Sequence, residues 1–300
     1  MRINNNIPAL NTHRMLNMNI NSLEKTLEKL SSGKRINRAA DDAAGLAISQ
    51  KMDAQIRGLR QASRNGLDGI SLIQTAEGAL NEVHAMLQRM RELSVQGANG
   101  IYAKEDLEAV ANEMKELTEQ IDKIAKDTTF NGIHLLKGEL EGKSGASGKI
   151  DLRLHIGANS GECIEINMEE INITVGSGSG QLNIITEMVT SKENGEFEVA
   201  SGGKLTSENF DAAITVYDDA VRKVASHRSK LGAYQNRLEH TIKNLDNTAE
   251  NLTAAKSRIE DADMAIEMSE FVKLSILQQA GTSMLSQANQ LPQSVLQLLQ

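Results

Sequence analysis

The chain has 300 residues and a formal net charge of −8, with no Trp, four Phe and three Tyr. So few aromatics argue against a compact enzyme built around a ligand pocket, and an acidic balance without an aromatic-rich basic patch argues against a nucleic-acid partner. The lone Cys163 excludes an internal disulfide, and no run reaches the roughly 18 consecutive apolar residues of a membrane span.

The first 23 residues hold seven Asn and no acid, and they lack the apolar core of a secretory signal. Leu16, Ile20, Leu23, Leu27 and Leu30 step by four and three, which predicts a helix with one apolar stripe. It should stop at Ser31-Ser32-Gly33, because glycine accepts the left-handed conformation of a helix end. Asp41-Asp42 then reads as a cap: a carboxylate before a helix accepts unpaired backbone N–H groups and suits the positive end of the helix. The second helix carries Ile56, Leu59, Leu67, Ile70, Ile73, Leu80, Val83, Leu87 and Met90 and ends around Gly97, Asn99 and Gly100. The third places Leu107, Val110, Met114, Leu117, Ile121 and Ile124 on one face.

From Gly138 to Gly203 the apolar period falls to two. Ile150, Leu152, Leu154 and Ile156 alternate with polar residues, Gly157 to Glu162 supplies a turn, and Ile164, Ile166 and Met168 alternate again, which predicts a β-hairpin with one buried face. Ile171, Ile173 and Val175 predict a third strand. The run from Gly176 to Gly180 reads as a flexible linker, since no Lys-Ser/Thr pair follows it as in a phosphate loop.

Beyond the linker, every seventh residue from Phe210 to Ile266 is apolar: Phe210, Tyr217, Val224, Leu231, Leu238, Leu245, Leu252, Ile259 and Ile266. A second series, Ile214, Val221, Ile242 and Ala249 with polar Arg228, Gln235, Lys256 and Asp263, completes the seam. Unbroken helix over this span would be about 85 Å long. The final 27 residues carry no charged side chain but seven Gln, with a stripe at Leu274, Leu277, Gly281, Met284, Ala288, Leu291, Val295 and Leu298. This stripe is one residue out of register with Ile266, so a break between two helices is expected near that point. Surface helices normally carry charge on their outer face, so amide-rich ends imply burial against other helices, and isolated amphipathic segments order only when something covers them.

The fold class expected is mainly α: a long antiparallel helical coiled-coil rod with a small β-hairpin region and amphipathic terminal helices. The segments are 1–42 and 267–300 for the two terminal helical parts, 43–175 for rod helices and hairpin, 176–204 for a variable linker, and 205–266 for the returning rod helix. Leu231, Leu238, Leu245, Leu252 and Ile259 are the expected rod core, while Leu16, Ile20, Leu23, Leu27, Leu30, Leu274, Leu277, Met284, Leu291, Val295 and Leu298 are expected to pack the terminal helices within and between subunits. No catalytic constellation, cofactor or metal is expected, since the six His are scattered without ligand spacing.

Several blocks resemble the bacterial flagellins. They are Met1-Arg2-Ile3-Asn4, the run from Leu30 through Asp41-Asp42 to Ile48, the segment from Gly69 to Leu80, Leu87 to Leu93, Leu231 to His240, Ser257 to Asp263, and the close from Gln278. The resemblance covers roughly residues 1–140 and 205–300. It implies a subunit that polymerises with itself into an extracellular filament, with both termini paired in an inner tube. It further implies export through the flagellar type III apparatus with a chaperone on the C-terminal stripe, and contact with filament cap and hook-junction proteins. A hook-filament junction protein is an alternative within the same class; a secreted enzyme or adhesin on this scaffold is one outside it. Finally, Gln88, Arg89, Glu92 and Leu93, with Glu113 on the next helix, look like the segment bound by the Toll-like receptor that senses flagellin. Their three- and four-residue spacing puts Arg89, Glu92, Leu93 and Gln96 on a face offset from Val83, Leu87 and Met90.

Overall fold

The computed structural model describes residues 6–137, 151–167, 171–176, 182–184, 189–191, 197–199 and 206–298; for 291–298 it describes the helical backbone alone. The opening motif at residues 1–4, most of the glycine-serine linker, and the side chains of Leu291, Val295 and Leu298 lie outside the described residues. Within them are α1 (Ile7–Ser32), α2 (Ala43–Gly97), α3 (Lys104–Asp127), α4 (Ser207–Glu260) and α5 (Met264–Leu298). Three two-stranded antiparallel pairs join β1 (Thr129–Phe130) to β2 (Ile133–His134), β3 (Asp151–His155) to β4 (Cys163–Asn167), and β5 (Val189–Ser191) to β6 (Phe197–Val199). The chain divides into two compact units, one of Met1–Arg57 with Thr248–Gln300 and one of Gly58–Asn247.

In the Gly58–Asn247 unit, α2 and α4 run antiparallel. Arg91 Nε donates to Asp218 Oδ1 at 2.6 Å near one end of the pair, and a Cβ built on Gly66 would sit 2.9 Å from Ile242 Cγ1 near the other. The core joins Ile73, Leu80, Val83, Leu87, Met90 and Leu93 of α2 to Leu107, Met114 and Ile121 of α3 and to Phe210, Tyr217, Val224, Leu231 and Leu238 of α4. Each such side chain contributes about 1.5–3 kcal/mol when fully withdrawn from water.

The seven-residue series on α4 is buried from Phe210 to Leu245, half-buried at Leu252 and Ile259, and exposed at Ile266. Ile266 therefore leaves the seam. The helix breaks earlier than expected, at residues 261–263, because Asp263 caps α5 by accepting from Ala265 N at 2.9 Å and Ile266 N at 3.3 Å. The second seam row also differs. Ala213 and Ala220 are buried and His227 and Tyr234 half-buried, three residues after each member of the first series, and the row shifts to four residues only at Ile242 and Ala249. Small alanines allow closer approach of neighbouring helices than Ile214 and Val221 would, and those two are only half-buried. On α2, Leu67 is exposed and not part of the core.

The β3–β4 hairpin forms as expected, with Leu152 opposite Ile166 and Leu154 opposite Ile164. It lies on α2: Asn65 Nδ2 donates to His155 O at 3.0 Å, and Leu154 Cδ1 comes within 2.6 Å of where a Cβ on Gly69 would be, so a larger residue at Gly69 would make the Leu154 side chain shift. The third strand does not form. Ile171 and Ile173 are buried as an irregular segment, tied by Ile173 N to Leu136 O at 3.0 Å, and Val175 makes an isolated bridge to Leu182. The β1–β2 hairpin was not expected from the alternation. Its signal is Asn131-Gly132, both at positive φ (50° and 77°), which is the two-residue turn whose twist matches a hairpin.

Candidate functional site

In the unit of Met1–Arg57 and Thr248–Gln300, α1 and α5 pair antiparallel. Lys29 Nζ meets Glu267 Oε1 at 3.1 Å, Leu16 Cδ1 lies 3.1 Å from where a Cβ on Gly281 would be, and Asn6 Nδ2 donates to Ala288 O at 2.9 Å. On α1 the inward row is Leu16, Leu23 and Leu30 in heptad steps, interleaved with Asn19 and Thr26. Ile20 is half-buried on the flank, but Leu27 is exposed and so does not belong to this seam. The apolar spacing missed Thr26, which is buried and satisfies its own hydroxyl by donating to Ser22 O at 3.1 Å. Thr26 follows Leu23 by three and precedes Leu30 by four, a spacing that marks it once polar residues are allowed in the row.

On α5 the inward row is Phe271, Leu274, Gln278, Gly281, Leu285 and Ala288. Leu274 is buried as expected, whereas Leu277 and Met284 are exposed: they follow Leu274 and Gly281 by three, and the seam runs through the residues four beyond.

The loop after α1 is held by backbone. Gly33 sits at φ 71° with its N–H on Lys29 O at 2.8 Å, while Gly33 O accepts from Ala262 N at 3.0 Å and Arg35 N donates to Glu260 O at 2.7 Å. Around these contacts runs an alternating chain of charge: Lys34 to Glu260 at 2.5 Å, Lys256 to Glu260 at 3.8 Å and to Asp53 at 2.5 Å, and Arg57 to Asp53 at 2.7 Å. Only one of the two acids at 41–42 caps α2. Asp42 Oδ1 accepts from Gly45 N at 2.8 Å, while Asp41 accepts from Arg38 N and Asn37 N and closes the preceding loop, which lowers its pKa.

The Lys256 ammonium, hydrogen-bonded to Asp53, holds that carboxyl below its ordinary 3.8, and Glu260 raises Lys34 above its ordinary 10.5. The Asp53 contribution to stability is therefore complete above the ordinary carboxylate range and disappears as pH falls through the lowered value. The Lys34 contribution is complete below 10.5 and disappears as pH rises through the raised value. We expect Lys256→Met to lower the melting temperature at neutral pH and to lose that difference from the parent in acid. A difference constant from pH 6 to pH 2 would exclude this linkage.

Outside the α1–α5 seam, the same two helices expose a second set of apolar side chains. Ile7, Leu10, Met15 and Met18 project from α1, and Met268, Val272 and Ile276, four residues apart, form a stripe on α5. Exposed apolar side chains grouped on two paired helices mark a binding face. Among the described residues, no three His, Cys, Asp or Glu side chains converge as metal ligands would, and no helix is long and apolar enough to cross a membrane.

The residues expected at a receptor are divided by the fold. Gln88, Arg89 and Glu92 are exposed on α2, and Arg89 Nε donates to Glu113 Oε1 of α3 at 2.9 Å, with Glu92 Oε2 at 3.4 Å. Glu113 and Glu92 hold the guanidinium charged, raising its pKa. Leu93 is a correction: it is 1% exposed and belongs to the core with Leu87 and Met90, because the α2 core stripe is wide enough to include it.

Residues 3–140 match the family described as bacterial flagellin N-terminal helical region, and residues 214–299 match the bacterial flagellin C-terminal helical region. The chain is 52% identical over 310 residues to a flagellin of Bacillus subtilis and 50% identical over 299 residues to one of Halalkalibacterium halodurans, covering all of each. It also shares its fold with a putative flagellar hook-associated protein from Vibrio parahaemolyticus, with TM-score 0.56 and 16% identity, over 74% of this chain and 100% of that one.

Proposed function

The chain belongs to the bacterial flagellin family, and from that membership we propose that its terminal helices do the polymerising. It is a structural subunit of the flagellar filament. The observation that carries the proposal is the second apolar set on α1 and α5, which the subunit itself leaves uncovered. A filament needs a heterologous contact, in which one patch meets a different patch without closing. Leu10 and Met18 on α1 and Val272 and Ile276 on α5 offer two unlike patches for that purpose, and Leu27, Leu277 and Met284 add apolar area beside the seam. In this reading the ends 1–42 and 267–300 form the inner part of the filament, and the segments from 43 to 266 form the layer around it. The subunit is secreted by the flagellar export apparatus, with a chaperone covering the C-terminal stripe beforehand and cap and hook-junction proteins bounding the finished filament. Relatives named flagellin over the full length favour this over the junction-protein alternative, and the family is one of structural proteins rather than enzymes. Seeded elongation of the purified chain, followed by electron microscopy, tests it; a chain that stays monomeric on flagellar seeds would refute it.

A second reading concerns the patch at Gln88, Arg89, Glu92 and Glu113. A planar guanidinium held between two carboxylates on an exposed face suits recognition by a host Toll-like receptor, since Arg is among the residues that dominate interface energy. Arg89→Ala is expected to lower receptor activation by monomer about tenfold or more, a loss typical of an interface anchor. Leu93→Ala is not a clean probe, because emptying a core site of this kind costs about 2–5 kcal/mol of stability. A reporter assay showing full potency for Arg89→Ala with an unchanged melting curve would remove this site.

A further inference from the structure

We propose that the assembling surface is a redox-controlled one: hydroperoxides oxidise the exposed thioethers of Met15, Met18, Met264, Met268 and Met284 in the free subunit, and the sulfoxide form does not join a filament. This rests on the filament reading above and adds a regulation to the same surface. The five side chains are 57%, 62%, 46%, 48% and 56% exposed, and all lie on α1 or α5. The described methionines of the other unit are placed differently: Met90 and Met114 are fully buried in its core and Met86 is half-buried. Oxidisable sulfur is thus presented where the second apolar set lies and withheld in the core of α2, α3 and α4.

The thioether suits such a face while reduced. It is unbranched, polarizable and able to adapt to an irregular partner, which a non-closing contact with a neighbouring copy requires. The oxidation is a two-electron transfer. A sulfur lone pair attacks one peroxide oxygen, an S–O bond forms as the O–O bond breaks, and the proton on the transferred oxygen passes to the departing one. Hydrogen peroxide leaves as water and sulfur is oxidised to the sulfoxide. The new oxygen is a strong acceptor without a donor of its own. In the monomer it faces water and disturbs nothing, but across an apolar contact it would be buried without a partner. Methionine sulfoxide reductases return the thioether, so the change is reversible. Assembly, by covering the same side chains, would protect them.

The test uses the full chain carrying Cys163→Ser, so that the thiol takes no part. Monomer is treated with hydrogen peroxide, the oxidised positions are read by mass spectrometry, and elongation on untreated seeds is followed by light scattering. The five exposed methionines are expected to gain oxygen before Met90 and Met114, elongation to slow about tenfold or more as unpartnered sulfoxides enter the contact, and reductase treatment to restore it. A variant with Leu at all five positions, a nearly volume-conserving change, should elongate equally with and without peroxide. Full-speed elongation by subunits oxidised at these five positions, or equal inhibition of the five-Leu variant, would overturn the proposal. So would equal rates of sulfoxide formation at these positions in monomer and preformed filament, a comparison that does not depend on any variant assembling. Failure of the untreated chain to elongate would instead overturn the filament reading, and the proposal with it.

Discussion

A chain ending at Lys273 is expected not to elongate flagellar seeds at all. The deletion removes Leu274, Gly281 and Ala288, which face α1, together with Ile276, Leu277 and Met284, which face outward. Helix α1 then keeps only the stub of its partner, and a 26-residue amphipathic helix with an uncovered apolar face is marginal in water. Circular dichroism should show helix lost from the terminal segments, while the Gly58–Asn247 unit, whose core contains none of the deleted residues, keeps a cooperative melt. Sedimentation and microscopy decide the matter. Filaments grown from the truncated chain would show that polymerisation does not depend on this helix.

Leu238→Asp is expected to destabilise the helical core strongly. Leu238 is fully buried, close to Gly69 of α2 where Leu154 of the β3–β4 hairpin also approaches. The substitution forfeits about 1.5–3 kcal/mol of burial and leaves a carboxylate without a partner, so a total of about 4 kcal/mol or more is expected. For a unit of this size that corresponds to a fall of about 10 °C or more in Tm. Leu67→Asp supplies the contrast: the same chemical change at an exposed position of α2 should stay within about 0.5 kcal/mol. Equal effects of the two substitutions would mean that the burial pattern along α2 and α4 is not what holds this unit together.

What periodicity could and could not reveal is clear from particular residues. The seven-residue row from Phe210 to Leu245 was legible because a long helix facing one partner repeats its inward positions strictly. The companion row was misread at Ile214 and Val221. Closeness of approach, not hydrophobicity, put Ala213 and Ala220 inside, and a sequence reading weights the larger apolar side chains. The same bias assigned Leu27 to the α1–α5 seam in place of Thr26, whereas Leu277 and Met284 were assigned there by a step of three where the seam steps by four, to Gln278 and Leu285. Leu93 failed in the opposite sense. Its spacing from Arg89 suggested an outer face, yet α2 is contacted by both α3 and α4, and two partners widen its buried stripe.

The sequence by itself determined the five helices, the stops at Gly33 and Gly97, the β3–β4 hairpin and the uncharged stretch of α5 from Leu274 onward. These depend on local conformational preference and on repeating contacts with a neighbouring element, both of which are written in spacing. Tertiary structure decided which side of each amphipathic helix turns inward where both sides are apolar, as on α1 and α5. It also brought Lys34, Asp53, Lys256 and Glu260 into one chain of charge and Arg89 to Glu113 across two helices. Those juxtapositions join residues far apart in the chain. Their energies depend on distance and burial, quantities that no spacing along one strand of sequence contains.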